Sequence, residues 1–552
     1  MFRPCSCLAF ALPLCLSLAG FAQVAAAPAR HAFTHSSKAE QNAIRAFNAA
    51  ERNPLQLRAF LAQMPKGADL HMHLSGAIYA ETFIRDAAAD HLCYSPITRR
   101  LFKPSATTRS LPPQPVCGEG NRRAEDALKD QDLYDRMVDD FSMRGFVPSS
   151  GVSGHDQFFA TFERFSALGH VHIGEWLDEV ASRAAAQNEQ YLEVMHTPDF
   201  LAAAKLGYSI PWPSSPAGNS DRTGDAAGAS HADLARLREQ LLSGGIREMA
   251  AANRQEFSDA LAARDRIEHC GTPAAAPGCR VKIRFIYQIL RGFPPQQVFA
   301  QTLLGFEALQ EEFDSGHPIA VGINFVMPED GYLSMSEYHR QMLMLDYLHS
   351  VYPHVHITLH AGELAPGLVS PDGLRFHIRE AVELGHAERI GHGVDVMYED
   401  NPQVLLKEMA DRHVMTEINL SSNALILGVQ KEWHPLPVYR KAHVPVALST
   451  DDEGVSRIEL THEYTRAVLE FQLGYLDLKD MARTSLEHSF LPGNSLWAKP
   501  DTFTTVNSAC TGQIAGSGTP SSRCRNFLDA NEKAAEQWDL ERRFNAFEAE
   551  QH

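Results

Sequence analysis

Short apolar segments rich in β-branched residues alternate with longer amphipathic segments along most of this chain. Apolar runs of this length predict strands, and segments with apolar residues at helical spacing predict helices. The predicted strands are 68–74, 191–195, 282–290, 319–326, 356–359, 389–394, 414–420 and 444–449. Predicted helices between them include 295–313, 334–352, 373–384 and 402–412. Eight strands separated by helices predict an α/β fold, a (β/α)8 TIM-type barrel.

An open, doubly wound α/β sheet is the structural alternative to this barrel. That fold usually carries a glycine-rich phosphate loop directly after its first strand. The segment that follows 68–74 contains no such loop. The pattern therefore favours the barrel.

The remaining segments complete a predicted domain organisation. Residues 91–125 and 205–232 are rich in Pro, Gly and polar residues, which is typical of surface insertions. The helical pattern before the first strand predicts either a dimerisation arm, and hence a homodimer, or a packed N-terminal helix. The predicted segments are a signal peptide at 1–27, an N-terminal helical arm at 28–63, the barrel at 64–500 and a C-terminal extension at 501–552.

The first 27 residues have the pattern of a secretory signal peptide. Arg3 precedes an apolar stretch at 8–19, and small residues dominate 22–27. The apolar stretch is too short to span a bilayer comfortably, and no later segment has membrane length. We therefore expect a periplasmic or secreted protein that has no membrane contact after the leader is removed.

Six cysteines remain once the leader is removed, an even number that suggests disulfides in an exported chain. They fall into three pairs that are close in sequence, each within a segment typical of surface loops. We predict the pairs Cys93 with Cys117, Cys270 with Cys279, and Cys510 with Cys524.

The overall charge narrows the class of partner. The formal net charge is −18, whereas nucleic-acid binding needs a basic surface. We therefore expect a small-molecule substrate and no nucleic acid.

Chemically active residues concentrate at the ends of four predicted strands, where the functional groups of such barrels lie. His71 and His73 occupy positions i and i+2 of the first strand and can face one side together. His360 and Asp451 end the fifth and eighth strands, which gives three imidazoles and one carboxylate suited to a single zinc ion.

The same strand ends supply groups for acid–base chemistry. Zinc lowers the pKa of a bound water to about 7, so a hydroxide is available near neutral pH. His392 and Asp451 are candidates to orient that water and accept its proton, and Glu363 is a candidate proton donor to the substrate. Asp452 can hold a substrate nitrogen. Structural alternatives are a buried histidine at 392, a solvated loop charge at 363 and a helix cap at 451–452.

Four motifs carry a resemblance to a known family. They are MPKGADLHMH at 64–73, HAGE at 360–363, RIGHG at 389–393 and STDD at 449–452. Together they resemble the adenosine deaminase family, and most closely its secreted branch, the adenosine deaminase-related growth factors and their bacterial relatives. The resemblance extends over roughly residues 64 to 490.

The resemblance implies a role for each motif residue. It implies one zinc ion per chain held by His71, His73, His360 and Asp451, with Glu363 as proton donor to ring N1, His392 positioning the water and Asp452 at N7. The implied reaction is hydrolytic deamination of adenosine, 2′-deoxyadenosine or a related 6-aminopurine nucleoside to an inosine-type product and ammonia.

Two positions depart from the family pattern. Ser75 stands where the family often has an acid that contacts the ribose 5′-hydroxyl, so Ser75 becomes the candidate substrate contact. Residues 326–328 read Val-Met-Pro where the family commonly has a glycine that donates its backbone N–H to ring N3. Deamination of adenine or of a modified nucleoside is therefore an open alternative.

Three other functions are alternatives to deamination of a purine nucleoside. A binuclear amidohydrolase usually needs a lysine at the end of strand four, and 319–326 contains none. A cytidine-deaminase type of enzyme needs H-x-E and P-C-x-x-C, and only His386-Ala387-Glu388 meets the first half. A secreted, non-catalytic growth-factor-like binding protein would have no need of Glu363 and His392.

Overall fold

The computed structural model describes residues 37–106, 115–213, 229–316 and 318–551. The predicted signal peptide lies outside these residues, as does most of the predicted insertion at 205–232. Within the described part of the chain, no helix has the length and apolar character needed to cross a membrane.

Eight parallel strands pair in chain order to form one sheet. They are β1 Gly67–His73, β2 Glu189–His196, β3 Lys282–Leu290, β4 Ala320–Val326, β5 His356–Ala361, β6 Arg389–His392, β7 Met415–Ile418 and β8 Val446–Leu448. The ring closes where Met72 of β1 bridges Asp451, just after β8. The predicted (β/α)8 barrel is confirmed.

The sequence of the strands explains their position at the centre of the fold. Every residue of β4 and β7 is buried, as expected for parallel strands covered on both faces. Strand β2 begins earlier than predicted, at Glu189 and Gln190. Gln190 can be buried there because its side chain has a hydrogen-bond partner. The Gln190 amide donates to the Glu536 carboxylate at 2.7 Å.

Helices surround the strands and follow the predicted alternation. The α-helices are Lys38–Ala50, Pro54–Gln63, Leu74–Ala77, Ala80–Ala89, Gln131–Asp140, Gly154–Phe165, Ile173–Ala186, Leu201–Ser209, His231–Ser243, Ile246–Ile267, Pro295–Ser315, Tyr332–Ser336, Tyr338–Val351, His377–Glu383, Pro402–Asp411, Leu420–Leu427, Leu436–Lys441, Glu453–Ser456, Leu460–Phe471, Tyr475–Glu487, Ser522–Asp529 and Glu532–Glu550. The helix predicted at 373–384 begins only at His377. Its first turn is capped by Glu399, which accepts from the Ile378 N–H at 2.7 Å.

The two N-terminal helices pack on the outside of the barrel. Phe47 and Phe60 lie edge to face at 5.7 Å, and Phe60 also contacts Phe547 of the last helix at 5.2 Å. Tyr475, the first residue of the helix Tyr475–Glu487, contacts the same aromatic group. The arm is therefore held by this chain's own C-terminal helix, and the homodimer stays a prediction.

Small antiparallel strands form the first insertion, at Cys93–Ser95, Arg100–Phe102, Ser105–Ala106, Pro115–Val116 and Arg122–Arg123. The three predicted disulfides are all present, joining Cys93 to Cys117, Cys270 to Cys279 and Cys510 to Cys524. The first of them links the ends of this insertion.

A buried ion pair fills the interior below the mouth of the barrel. The Arg389 guanidinium contacts the Glu193 carboxylate at 2.7 Å and the Glu417 carboxylate at 2.6 Å, and all three side chains are fully buried. Buried charges are tolerated when they are paired in this way. Because Glu417 lies on β7, it links this pair to the groups at the strand ends.

Candidate active site

Three histidines and an aspartate from three strand ends meet at the mouth of the barrel. The His73 Nε2 atom lies 3.1 Å from His360 Nε2 and 3.3 Å from Asp451 Oδ1. His71 Nε2 lies 3.6 Å from the same Asp451 oxygen. Since one ligand atom of each residue lies within 4.8 Å of all the others, the four can share a single metal ion. The structure thus brings together the whole predicted ligand set.

A second group of polar residues contacts the Nδ1 atom of each imidazole, on the side of the ring away from the other ligands. His71 Nδ1 contacts Glu417 Oε2 at 2.6 Å, and His73 Nδ1 contacts Gln288 Oε1 at 2.8 Å. Asn324 Oδ1 accepts from both the backbone N–H and the ring of His360.

Partners of this kind orient metal-binding histidines and direct their free nitrogens into the site. The sequence interpretation missed all three: Gln288, Asn324 and Glu417. The available signal was a polar residue inside each of three barrel strands, β3, β4 and β7.

The electrostatics of the site favour a cation at this position. Burial alone lowers the pKa of His71, but hydrogen bonds with Asp451 and Glu417 raise it to about 10. The two carboxylates therefore draw a positive charge to His71. His71 Nε2 is a buried nitrogen that lacks a hydrogen-bond partner among the described residues. Three imidazoles, a carboxylate and this free nitrogen fit a divalent metal such as zinc.

Glu363 lies directly after β5, buried beside the four ligands. Burial raises its pKa well above the usual value, and the nearby charge of Asp451 raises it further. The carboxyl group is therefore suited to carry a proton at neutral pH. Its backbone N–H donates to Glu329 at 2.8 Å, and Gly362 N–H donates to the other oxygen of Glu329. This buried carboxylate, which the sequence interpretation also missed, holds the loop in place.

His392 ends β6 and lies between the ligands and Glu363. Its Nε2 atom lies 3.9 Å from Asp451 Oδ2, and its Nδ1 atom lies 3.6 Å from Glu363 Oε1. Burial lowers the pKa of His392 to about 3, so the ring is neutral at physiological pH. His392 thus lies beside the predicted ligand Asp451 and the predicted proton donor Glu363, and its role stays a prediction.

Asp452 packs against the turn that follows β1. A Cβ atom at Gly76 would lie 1.5 Å from Asp452 Oδ1, so only glycine leaves room for the carboxylate. Asp452 Oδ1 is buried and makes no hydrogen bond to any described residue. It is therefore available to a ligand. The predicted contact Ser75 is half-buried and lies next to Gly76, in the short helix Leu74–Ala77.

Three residues around the site adopt left-handed backbone conformations. They are His392 with φ 70°, Asp451 with φ 59° and Met327 with φ 88°. Such conformations cost about 1–3 kcal/mol for residues other than glycine and cluster at functional sites. At Met327 the backbone thus keeps the conformation that a glycine would favour, although the residue type differs.

A known family matches the part of the chain that contains five of the predicted site residues. Residues 333–498 match the family model described as adenosine deaminase, and this segment includes His360, Glu363, His392, Asp451 and Asp452. Over this segment the chain is similar to the adenosine deaminase family. His71 and His73 lie before the matched segment. Their assignment as metal ligands therefore depends on the geometry and not on the match.

Curated relatives named adenosine deaminase match segments of 135 and 137 residues. An adenosine deaminase of Clostridium perfringens is 37% identical over 135 residues, 24% of this chain. An adenosine deaminase of Escherichia coli is 36% identical over 137 residues, 25% of this chain. The matches span only 37% and 38% of the length of these relatives.

Structural comparison finds the N6-methyl-AMP deaminase of Arabidopsis thaliana. Its apo structure has a TM-score of 0.48 and 18% identity, and the match covers 78% of this chain and 94% of that chain. An adenine deaminase of Arthrobacter aurescens has a TM-score of 0.46 and 16% identity, with 77% and 94% covered.

Proposed function

We propose that this chain is a zinc-dependent aminohydrolase. Its proposed reaction converts adenosine, 2′-deoxyadenosine or a related 6-aminopurine nucleoside to the inosine-type product and ammonia. The observation that carries the proposal is the meeting of His71, His73, His360 and Asp451 beside the buried carboxyl group of Glu363. The match of residues 333–498 to the adenosine deaminase family model supports the same reaction.

The ligands for one zinc ion would be His71, His73, His360 and Asp451. When bound, the ion would lower the pKa of a water molecule to about 7 and so make a nucleophile available at neutral pH. Glu417 positions His71 through the contact at 2.6 Å, so the free nitrogen of the ring faces the other ligands.

The protein's own groups would handle the substrate. A protonated Glu363 can donate its hydrogen to ring N1, which makes the neighbouring C6 more electrophilic. Asp452, with an oxygen that no described residue contacts, can accept a hydrogen bond from the substrate or share a proton with N7. Because His392 Nε2 lies 3.9 Å from Asp451 Oδ2, these two residues can together orient the attacking water.

The substrate range rests on two positions. A serine at position 75 can donate a hydrogen bond to a ribose hydroxyl but cannot form the charged contact that an acid makes. Met327, whose side chain is partly exposed, occupies the position of the family's glycine. Both features make adenine and modified nucleosides necessary members of any substrate screen.

Export to the periplasm or the medium is proposed as well. The three disulfides support an oxidising compartment, since such bonds rarely persist in the cytosol. Fractionation of cells that produce the full chain tests this proposal. Recovery in the cytosol with residues 1–27 still attached would contradict it.

One assay tests the enzymatic proposal. The purified protein, with zinc measured by mass spectrometry, is incubated with adenosine, 2′-deoxyadenosine, adenine and an N6-modified nucleoside while ammonia release is followed. We expect one zinc per chain and release from at least one nucleoside. A folded, zinc-loaded protein that releases no ammonia would instead support the non-catalytic binding protein.

A further inference from the structure

The hydrogen-bond partners of His392 determine which of its two ring nitrogens carries the hydrogen. A neutral imidazole has one N–H donor and one acceptor nitrogen, and the neighbouring groups decide between the two arrangements. In this chain a continuous series of buried groups leads from a backbone amide to the ring of His392.

The series begins at Leu436, where the direction of the first hydrogen bond is unambiguous. The Leu436 backbone N–H donates to His434 Nδ1 at 3.1 Å, so this nitrogen is an acceptor. Burial lowers the pKa of His434 to about 3, so the ring is neutral and its hydrogen lies on Nε2. That Nε2–H donates to Asn423 Oδ1 at 3.0 Å.

The orientation of the Asn423 amide then follows. Because Oδ1 accepts from His434, the amide NH2 group faces His392, with Nδ2 at 2.9 Å from His392 Nδ1. The Asn419 amide nitrogen lies 3.5 Å from the same atom and is also a donor. Glu363 Oε1, at 3.6 Å, lies much farther from this nitrogen than Asn423 Nδ2 does. His392 Nδ1 is therefore an acceptor.

We propose that Asn423 and His434 are positioning residues that hold His392 with its hydrogen on Nε2. That nitrogen faces Asp451 Oδ2 at 3.9 Å and has no partner among the described residues. His392 then acts as a hydrogen-bond donor toward the reacting oxygen. Neither Asn423 nor His434 contacts the substrate side of the ring.

This assignment decides between the two candidate proton acceptors and rests on the proposed function. A nitrogen that carries a hydrogen has no lone pair with which to accept another. Of the two candidates, only the Asp451 carboxylate then has a lone pair available for the proton lost by the attacking water. Asp451 is arranged for this, since Oδ1 faces His71 and His73 while Oδ2 faces His392.

The first test is spectroscopic and independent of activity. Histidine rings labelled with 15N in the zinc-loaded protein are recorded by two-bond 1H–15N correlation NMR, which distinguishes protonated from bare ring nitrogens. The signals of His392 and His434 are identified by their loss in His392→Gln and His434→Gln. We expect a hydrogen on Nε2 and none on Nδ1 in both rings. A hydrogen on Nδ1 of His392 would overturn the proposal.

The second test reverses the hydrogen bond. Asn423→Asp preserves the shape of the side chain but replaces the donor by an acceptor, so His392 Nδ1 should become protonated. A wrong tautomer of a catalytic histidine costs about four orders of magnitude in kcat in a serine-protease triad. We expect kcat to fall at least about a hundredfold, with zinc content and KM changed less than about threefold.

Ser422→Ala is the matched control. The Ser422 hydroxyl is buried one residue before Asn423 and makes no hydrogen bond to the described residues, so kcat should stay within about twofold. Unchanged kcat in a folded Asn423→Asp protein would refute the positioning role. If the unchanged protein shows the expected nitrogen pattern but releases no ammonia, the proposed function fails while the hydrogen-bond series stands.

Discussion

Glu417 gives the sharpest test of how the metal ligands are held. Its Oε2 atom contacts His71 Nδ1 at 2.6 Å, while Oε1 accepts from Arg389 at 2.6 Å and from the Thr358 hydroxyl at 3.0 Å. Glu417→Gln preserves the size of the side chain but removes its charge. The imidazole of His71 then becomes a weaker ligand, because a carboxylate partner raises the basicity of a metal-binding histidine.

The expected magnitude follows from these contacts. Loss of such an outer partner typically lowers metal affinity about 10- to 100-fold, or about 1.4–2.7 kcal/mol of binding free energy. The same change leaves Arg389 with Glu193 as its remaining carboxylate partner. Removing one partner of a buried ion pair costs about 3–5 kcal/mol of folding stability, and this value is an upper bound here because Glu193 remains.

The assay is a zinc titration against a competing chromophoric chelator, with folding checked by circular dichroism. Glu388→Gln is the matched control. Its carboxylate also contacts a histidine Nδ1, that of His356, at 2.8 Å, but both side chains are about half exposed and far from the ligands. We expect reduced zinc affinity only in the Glu417 variant. Equal affinity in a folded Glu417→Gln protein would refute the reasoning.

Four further predictions concern individual residues. Glu363→Gln should keep its zinc but lose at least about a hundredfold in kcat, as expected for loss of a general acid, and retained activity would exclude that role. His73→Ala should lose metal and activity together, so a full zinc stoichiometry would contradict the ligand assignment. Gly76→Ala should lower kcat/KM at least about tenfold with zinc still bound, because the new Cβ would displace Asp452, and normal kinetics would contradict that packing. Although burial raises the pKa of Glu256, hydrogen bonds from two histidines lower it to about 2, below the ordinary 4.5. Its stabilising contribution is therefore present above about pH 4.5 and lost on acidification, so urea unfolding should show the wild type's advantage over Glu256→Gln shrinking as pH falls.

Much of the fold could be predicted because its signals are local. A parallel strand buried on both faces reads as a short apolar run, and eight such runs lie where the structure has its strands. The three disulfides join cysteines that are at most 24 residues apart, so proximity in sequence was a sufficient guide to their pairing. The first and last residues of the helices were less predictable. The helix at His377–Glu383 begins where Glu399, a residue distant in sequence, caps it.

The sequence by itself determined which groups could do the chemistry, since the HxH, HAGE and STDD motifs each carry their residues at the end of a predicted strand. Only the tertiary structure decided how those groups are held. Gln288, Asn324, Glu417 and Asn423 contact the site histidines, and His434 contacts Asn423, yet no sequence motif marks any of these residues. The direction of a hydrogen bond depends on partners that the closed barrel brings together from distant parts of the chain. The spacing of residues along the sequence does not predict those contacts.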